Sequence, residues 1–119
     1  MKILVIDDDA AVRKFITLAL KKENHTVFEA DNGNGGIQLL QEHDDIAIMI
    51  TDLIMPEKEG IETIIEVRQH YPNMKIIAIT GGGKVSPDNY LLLADALGAN
   101  TTLKKPFSAQ ELLRSIDNL

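Results

Sequence analysis

Polar side chains suited to metal binding or phosphoryl chemistry stand directly after short apolar segments of this sequence. The acidic run at positions 7–9 follows the first segment, and Asp52 follows the third. Thr80 ends the fourth segment, and Lys105 follows the fifth. If the segments are neighbouring parallel strands, these scattered side chains share one edge of a sheet.

Carboxylates gathered at such an edge need a cation. Two carboxylates ~4 Å apart repel each other by about 4 kcal/mol at an effective dielectric constant near 20. All-oxygen ligation by Asp7, Asp8 and Asp52, without His or Cys, suits a hard ion, Mg²⁺ above all. With Lys105 and Thr80 added, the set suits phosphoryl transfer, because an ammonium and a hydroxyl stabilise phosphoryl oxygens. An aspartate facing the metal would be the nucleophile and form an acyl phosphate.

Five apolar segments predict the strands that position these side chains. Three of them, ILVI, IAIMI and IIAI, are nearly continuous apolar stretches. Such runs are typical of strands covered on both faces, as in a parallel sheet. The predicted strands are Lys2–Ile6, 25–30, 46–51, Lys75–Thr80 and Thr101–Lys104.

Helical patterns separate the predicted strands. Asp9 is assigned to the start of the first helix, where an acid suits the helix dipole. The predicted apolar stripe of this helix consists of Val12, Phe15, Ile16 and Ala19. The basic residues predicted on its solvated face are Arg13, Lys14, Lys21 and Lys22. Further helices are predicted over 33–43 and Gly60–His70 and after the N-cap Ser86. The last helix opens with the capping-box pattern Ser108-x-x-Glu111.

Strands alternating with helices predict right-handed crossovers and an α/β fold. The expected architecture is (βα)5, a doubly wound five-stranded parallel sheet of the flavodoxin-like type with strand order 2-1-3-4-5. Ligands bind such sheets at the carboxyl ends of the strands, where the strand order reverses. In this order the reversal lies between strands one and three, which deliver Asp7, Asp8 and Asp52.

The composition narrows the function classes. The chain has 119 residues, enough for one core. The absence of Cys excludes disulfide frameworks and thiolate sites. A net charge of −6 disfavours direct nucleic-acid binding, and no apolar run approaches the ~20 residues of a membrane span. We expect one cytoplasmic domain over residues 1–119, with no output domain and no membrane contact.

Four motifs make the sequence resemble the CheY-like receiver domain of two-component response regulators. They are ILVIDDD, TDLIMPEKEG, IIAITG and LKKPF, in this order and each on its own strand end. The resemblance covers the whole chain. It implies a phosphorelay signalling protein that receives a phosphoryl group from a histidine kinase or a histidine phosphotransfer protein. Such a domain catalyses its own phosphorylation and dephosphorylation but is not a turnover enzyme.

The resemblance also implies the acceptor and the metal ligands. Asp52 is the phospho-acceptor that carries the aspartyl phosphate. Asp8, Asp52 and the backbone carbonyl of Ile54 bind Mg²⁺ directly, and Asp7 acts mainly through a metal-bound water. Mn²⁺ is the alternative ion.

The remaining implied roles concern switching. Thr80 is the switch hydroxyl, and Lys105 is the phosphate-binding lysine, joined to Pro106 by a cis peptide bond. The phosphodonor partner is expected on the first helix and the loop after Pro106. The signal is expected to leave through the helix after Ser86, the fifth strand and the last helix. The effector is left open, as is the choice between a monomer and a phosphorylation-dependent homodimer.

Three departures from the family pattern concern the readout. The position that often holds Tyr or Phe, three residues before the lysine, is Thr102. The stretch 81–88 is longer and richer in glycine than is typical, and we expect phosphorylation to order it. Ile54 and Gly82 stand where polar side chains often orient the attacking water, which predicts a long-lived phosphoryl group.

Two other function classes remain open on the residues. A degenerate receiver would serve only as a docking or dimerisation module, which the complete set of acids and Lys105 disfavours. A magnesium-dependent phosphatase with an aspartyl nucleophile would carry its second acid two residues after Asp52. That position is Ile54, so this class is the weaker alternative.

Overall fold

The apolar segments form five parallel strands within the part of the chain that the computed structural model describes, residues 1–53, 60–81 and 98–119. The strands are β1 (Lys2–Ile6), β2 (Thr26–Ala30), β3 (Ile48–Asp52), β4 (Lys75–Thr80) and β5 (Thr101–Lys104). They lie in one sheet in the order β2-β1-β3-β4-β5. The predicted fold class and strand order are therefore confirmed.

Two strands differ from their predicted bounds of 25–30 and 46–51. β2 starts at Thr26, because the His25 amide donates to the Leu20 carbonyl and closes the preceding helix instead of joining the sheet. β3 starts at Ile48, where pairing with both neighbouring strands begins. β3 also includes Asp52, which is still in register with β4. Asp52 therefore ends its strand rather than following it.

The described helices are α1 (Ala10–Lys22), α2 (Gly33–Glu42), α3 (Gly60–His70) and α4 (Ala109–Asp117). The bounds of α3 are as predicted, whereas α2 ends one residue early because the His43 backbone is extended. The capping box of α4 is confirmed, since Ser108 and Glu111 each accept a hydrogen bond from the other's backbone amide. The helix predicted after Ser86 lies outside the described residues. None of these described helices is long and apolar enough to span a membrane.

Alternate residues of the central strands pack on opposite faces of the sheet. One face carries Leu4, Ile6, Met49, Ile76 and Ala78, and the other carries Ile3, Val5, Ile48, Ile50, Ile77 and Ile79. All of these side chains are buried. Because helices cover both faces, the strands need no polar side, and this explains their continuous apolar sequence. The two packed layers hold the strand ends in fixed positions.

Phe15 was predicted in the buried stripe of α1, and this prediction is wrong. Its side chain is 43% exposed, whereas Ile16 and Leu20 are fully buried. The Phe15 ring packs against the ring of Phe107, with centroids 5.9 Å apart. Phe15 therefore sits at the border of α1, facing the segment that leads into α4.

Candidate functional site

The predicted site residues meet at the carboxyl edge of the sheet. Asp7 directly follows β1, and Asp52 ends β3. Since Ile6 pairs with Thr51, the two acids leave neighbouring strands at nearly the same level. Thr80 ends β4 on the other side of β3. The parallel register thus brings together residues that are far apart in sequence.

Asp7 is fully buried at the centre of this edge. Its backbone amide donates to the Ala30 carbonyl at 3.2 Å. Its Oδ1 accepts a hydrogen bond from the Asp9 amide at 2.9 Å. Burial raises the pKa of the Asp7 carboxyl and the Asp52 charge adds to the rise, although the Asp9 amide and the Lys105 charge oppose it. Asp7 is therefore a buried acid held in one orientation by backbone contacts.

Asp9 has the structural role predicted for it. Its carboxylate accepts hydrogen bonds from the backbone amides of Ala11 at 2.9 Å and Val12 at 3.4 Å. These bonds cap the first turn of α1, where amides have no partner within the helix. The cap fixes the point at which α1 starts and therefore keeps the loop that carries Asp7 and Asp8 short.

Three carboxylates form a cluster that could hold a metal ion. Asp7, Asp8 and Asp52 each offer one oxygen, and these oxygens all lie within 4.8 Å of one another. Asp7 and Asp52 are buried, whereas Asp8 is exposed and opens the cluster to solvent. An oxygen-only donor set of this kind fits a hard divalent cation that keeps some of its waters. The chemistry predicted for these three acids therefore agrees with their positions.

Lys105 supplies a positive charge on the other side of the cluster. Its Nζ lies 2.8 Å from Asp52 Oδ2 and 3.4 Å from Asp7 Oδ2. Burial alone would lower the pKa of Lys105, but its hydrogen bond to Asp52 and the charges of Asp52 and Asp7 outweigh burial and raise this pKa. The ammonium therefore remains charged and balances part of the negative charge of the acids.

The backbone around Lys105 aims its side chain into the site. Its amide donates to the Thr80 carbonyl at 2.7 Å, and the peptide bond to Pro106 is cis, as the family resemblance implied. A Cβ on Gly81 would lie 2.5 Å from Lys105 Cβ. Only glycine leaves room there for the lysine stem to cross towards Asp52.

Thr80 brings a hydroxyl to the same edge. Its side chain is buried, and its hydroxyl has no hydrogen-bond partner among the described residues. A buried hydroxyl without a partner destabilises the fold, and a hydrogen bond to a ligand oxygen could offset this cost. Thr102, in the position where the family often has an aromatic residue, is half-buried in β5 and pairs with Ala78.

Gly60 packs the start of α3 against the strand end that carries Asp52. Its amide donates to the Leu53 carbonyl at 3.1 Å. A Cβ at Gly60 would overlap the backbone carbonyl of Asp52. The absence of a side chain is therefore a requirement of the site's backbone. The predicted roles of Ile54 and Gly82, and all of the segment 81–88 except Gly81, fall on residues 54–59 and 82–97, outside the described residues.

Arg13 was assigned to the solvated face of α1, and this assignment is wrong. Its Nη1 donates to the backbone carbonyl of Asp7 at 2.7 Å, and its Nε lies 3.5 Å from Glu29 Oε1. A signal was available in the sequence, because helical side chains point towards the N-terminus of their helix. A long residue in the first turn of α1 can therefore reach back over the loop that carries the acids.

An apolar groove lies beside the acidic cluster. It is lined by Ala11, Val12, Phe15, Gly81, Lys105, Pro106 and Phe107. A second groove continues from Phe15 past Leu18 to Leu113 on α4. The large apolar residues Phe15 and Leu18 are exposed, at 43% and 52%. The face formed by α1 and the start of α4 is thus apolar and borders directly on Lys105.

Comparisons with known proteins agree with this fold and site. The family model for the response regulator receiver domain matches residues 3–117. A chemotaxis protein CheY homolog of Campylobacter jejuni is 35% identical over 123 residues, covering 100% of this chain and 92% of that protein. The response regulator receiver protein CpdR of Brucella abortus is 34% identical over 120 residues, covering 99% and 95%. The crystal structure of a response regulator receiver domain protein from Clostridium thermocellum superposes with a TM-score of 0.89 at 33% identity, covering 98% and 91%.

Proposed function

Because the chain belongs to the response regulator receiver domain family, we propose that it accepts a phosphoryl group on Asp52 and switches conformation to signal. The observation that carries the proposal is the geometry around this side chain. Three carboxylates offer oxygens within 4.8 Å of one another, and an ammonium lies 2.8 Å from Asp52. Receiver domains interact with kinases or phosphotransfer proteins and with effectors, and such a site suits the transfer step.

The proposed step is in-line transfer from a phosphohistidine. An Asp52 carboxylate oxygen forms a bond to phosphorus while the bond from phosphorus to the donor's imidazole nitrogen breaks. The electron pair of the broken bond stays on the imidazole, which takes a proton from solvent. The product is an acyl phosphate on Asp52. Lys105 stabilises the charge on the phosphoryl oxygens, because its ammonium already faces Asp52.

Mg²⁺ is the proposed cofactor, with Mn²⁺ as the alternative. The residues that would hold it are Asp7, Asp8 and Asp52, whose carboxylate oxygens fit a hard cation. The Ile54 carbonyl, a predicted fourth ligand, lies outside the described residues. When bound, the ion would neutralise negative charge on the phosphoryl group and on the acids. Asp8 leaves the cluster open to solvent, so the ion has a route of entry.

Thr80 is the proposed sensor of the phosphorylated state. Its buried hydroxyl has no partner among the described residues and stands at the end of the strand next to Asp52. A phosphoryl oxygen on Asp52 would give this hydroxyl an acceptor. Thr102 offers no aromatic ring to follow the movement, so the readout differs from the pattern common in the family.

We also propose that the phosphodonor partner docks on the apolar face of α1 and the start of α4. Lys105 lines the groove there and contacts Asp52, so a partner seated in the groove is close to the acceptor. Phe15 and Leu18 are already exposed, so a partner could contact these apolar side chains without any rearrangement of the fold. Basic Lys21 and Lys22 in the last turn of α1 add a positive rim for an acidic partner surface.

Intact mass spectrometry tests the transfer directly. The protein is incubated with Mg²⁺ and a small phosphoramidate donor, beside the Asp52→Asn variant as control. A single base-labile phosphoryl adduct that the variant lacks supports the receiver function. Donor hydrolysis over many turnovers without an adduct supports the phosphatase class. Neither adduct nor hydrolysis supports the docking-module class.

A further inference from the structure

We propose that Arg13 is a positioning residue for the metal centre and that it acts by holding the peptide between Asp7 and Asp8. Arg13 lies on α1 and is not a metal ligand. The inference depends on the proposed cation binding by Asp7, Asp8 and Asp52, and it assigns to α1 a part in that binding.

The contacts of Arg13 join three elements. Its Nη1 donates to the Asp7 carbonyl at 2.7 Å, a short bond that involves a charged donor. Its Nε faces Glu29 Oε1 on β2 at 3.5 Å. Its own amide donates to the Asp9 carbonyl at 3.0 Å within the first turn of α1. One side chain therefore connects the β1–α1 loop with both β2 and α1.

The Asp7 carbonyl is the point on the loop where such a contact has most effect. A peptide unit is planar, so the Asp7 carbonyl and the Asp8 amide turn together. This plane joins the Cα atoms of the two adjacent acids of the cluster. Fixing the carbonyl by Arg13 fixes the plane, and so the direction in which the two side chains leave the backbone.

Position and charge act in opposite directions in this contact. A guanidinium near a cation site weakens cation binding through repulsion, since both are positive. The ion pair with Glu29 offsets part of that charge and holds the guanidinium in place. If Arg13 favours metal binding, the benefit comes from position alone. Because position and charge change cation binding in opposite directions, substitutions of Arg13 can separate the two effects.

Arginine suits the task better than lysine. Its planar fork can donate to a carbonyl with one nitrogen and face a carboxylate with another. A lysine at position 13 keeps the charge but offers a single ammonium for two partners on different elements. Substitution of arginine by lysine therefore removes the positioning while it retains the charge.

The test is the Mg²⁺ dissociation constant, measured by calorimetry on the intact chain without any phosphodonor. Arg13→Lys and Arg13→Met are both expected to bind Mg²⁺ about ten-fold more weakly, as for other residues that orient metal ligands. Glu29→Gln is expected to show a smaller loss in the same direction. Lys14→Met removes the same charge from an exposed neighbour and serves as the control.

The outcomes separate positioning from charge and from stability. Unchanged binding in Arg13→Lys together with tighter binding in Arg13→Met would overturn the proposal, because charge alone would then explain Arg13. Thermal unfolding without Mg²⁺ identifies variants that are folded at the temperature of the titration. If Arg13→Met does not fold, Arg13→Lys decides, because it keeps the charge at position 13, whereas Glu29→Gln removes a negative charge that would itself favour cation binding. Wild-type protein that binds no Mg²⁺ would remove the proposed metal site itself, whereas wild-type binding with unchanged variants removes only the role of Arg13.

Discussion

The ammonium of Lys105 lies 2.8 Å from the carboxylate of Asp52, although the two residues stand 53 positions apart in the chain. The same ammonium lies 3.4 Å from buried Asp7. Lys105 thus acts as the counter-ion of two acids that would otherwise repel each other. A bound cation can share this task.

Lys105→Met is expected to lower the stability of the metal-free protein by roughly 1–3 kcal/mol, because it leaves two neighbouring carboxylates without their counter-ion. Mg²⁺ should restore much of the loss by replacing the missing charge. Urea unfolding with and without Mg²⁺ measures both effects. Lys104→Met makes the same change at the exposed adjacent residue and should leave stability within about 0.5 kcal/mol. Equal losses in the two variants would contradict the counter-ion role.

Asp7→Asn is expected to stabilise the metal-free protein at neutral pH and to weaken Mg²⁺ binding. Burial raises the pKa of Asp7, so its charged form is disfavoured in the folded state. The variant's advantage should vanish below the ordinary Asp pKa of 3.8, where the carboxyl is protonated in both states, and should grow as pH rises. Thermal unfolding from below pH 3.8 up to neutral pH measures this gain in stability. A gain of ~1 kcal/mol corresponds to a rise in Tm of a few degrees.

The control for Asp7→Asn is Asp9→Asn. Asparagine caps helices about as well as aspartate, so this variant should change stability little. A neutral or destabilising effect of Asp7→Asn at pH 7 would show that the contacts of the Asp7 carboxylate outweigh the cost of burying its charge.

Much of this site could be predicted from the sequence, because its residues follow strands and parallel strands end at one edge. The continuous apolar runs predicted a sheet covered on both faces, and that sheet aligns Asp7 with Asp52. Arg13 and Phe15 were misjudged for a common reason. Helical periodicity assigns a residue to a face of its helix, but it does not describe what lies beyond the helix end. The Asp7 carbonyl and the Phe107 ring, which these two residues contact, belong to loops.

Gly60→Ala is expected to destabilise the protein by roughly 1–3 kcal/mol, the usual range for forcing atoms into a packed region. The added Cβ would overlap the backbone carbonyl of Asp52, which cannot turn aside as a side chain could. Urea unfolding measures the loss, and Mg²⁺ titration should show weaker binding because Asp52 is displaced. Gly35→Ala is the matched control, since its Cβ would meet only atoms at 3.5 Å or more. A neutral Gly60→Ala would contradict the close packing of α3 against β3.

Leu18→Glu is expected to slow phosphotransfer from a histidine-phosphorylated protein at least ten-fold, because it removes apolar contact area worth roughly 1.5–3 kcal/mol. Transfer from a small phosphoramidate should be unchanged, since that donor needs no docking surface. Phosphotransfer rates with both donors measure the difference. Ile65→Glu changes another exposed apolar residue, on α3 (41% exposed against 52% for Leu18), and should affect neither rate. Loss with both donors would indicate damage to the site instead of the docking face.

The central claim is that Asp52 itself carries the phosphoryl group, and chemical trapping tests this most directly. The protein is phosphorylated in the presence of Mg²⁺ and reduced with borohydride, which converts an acyl phosphate into an alcohol, and its peptides are then sequenced by mass spectrometry. Homoserine at position 52, absent without the donor and absent in Asp52→Asn, is the predicted result. Homoserine at Asp7 or Asp8, or an unmodified Asp52 in protein that carries a phosphoryl adduct, would contradict the claim.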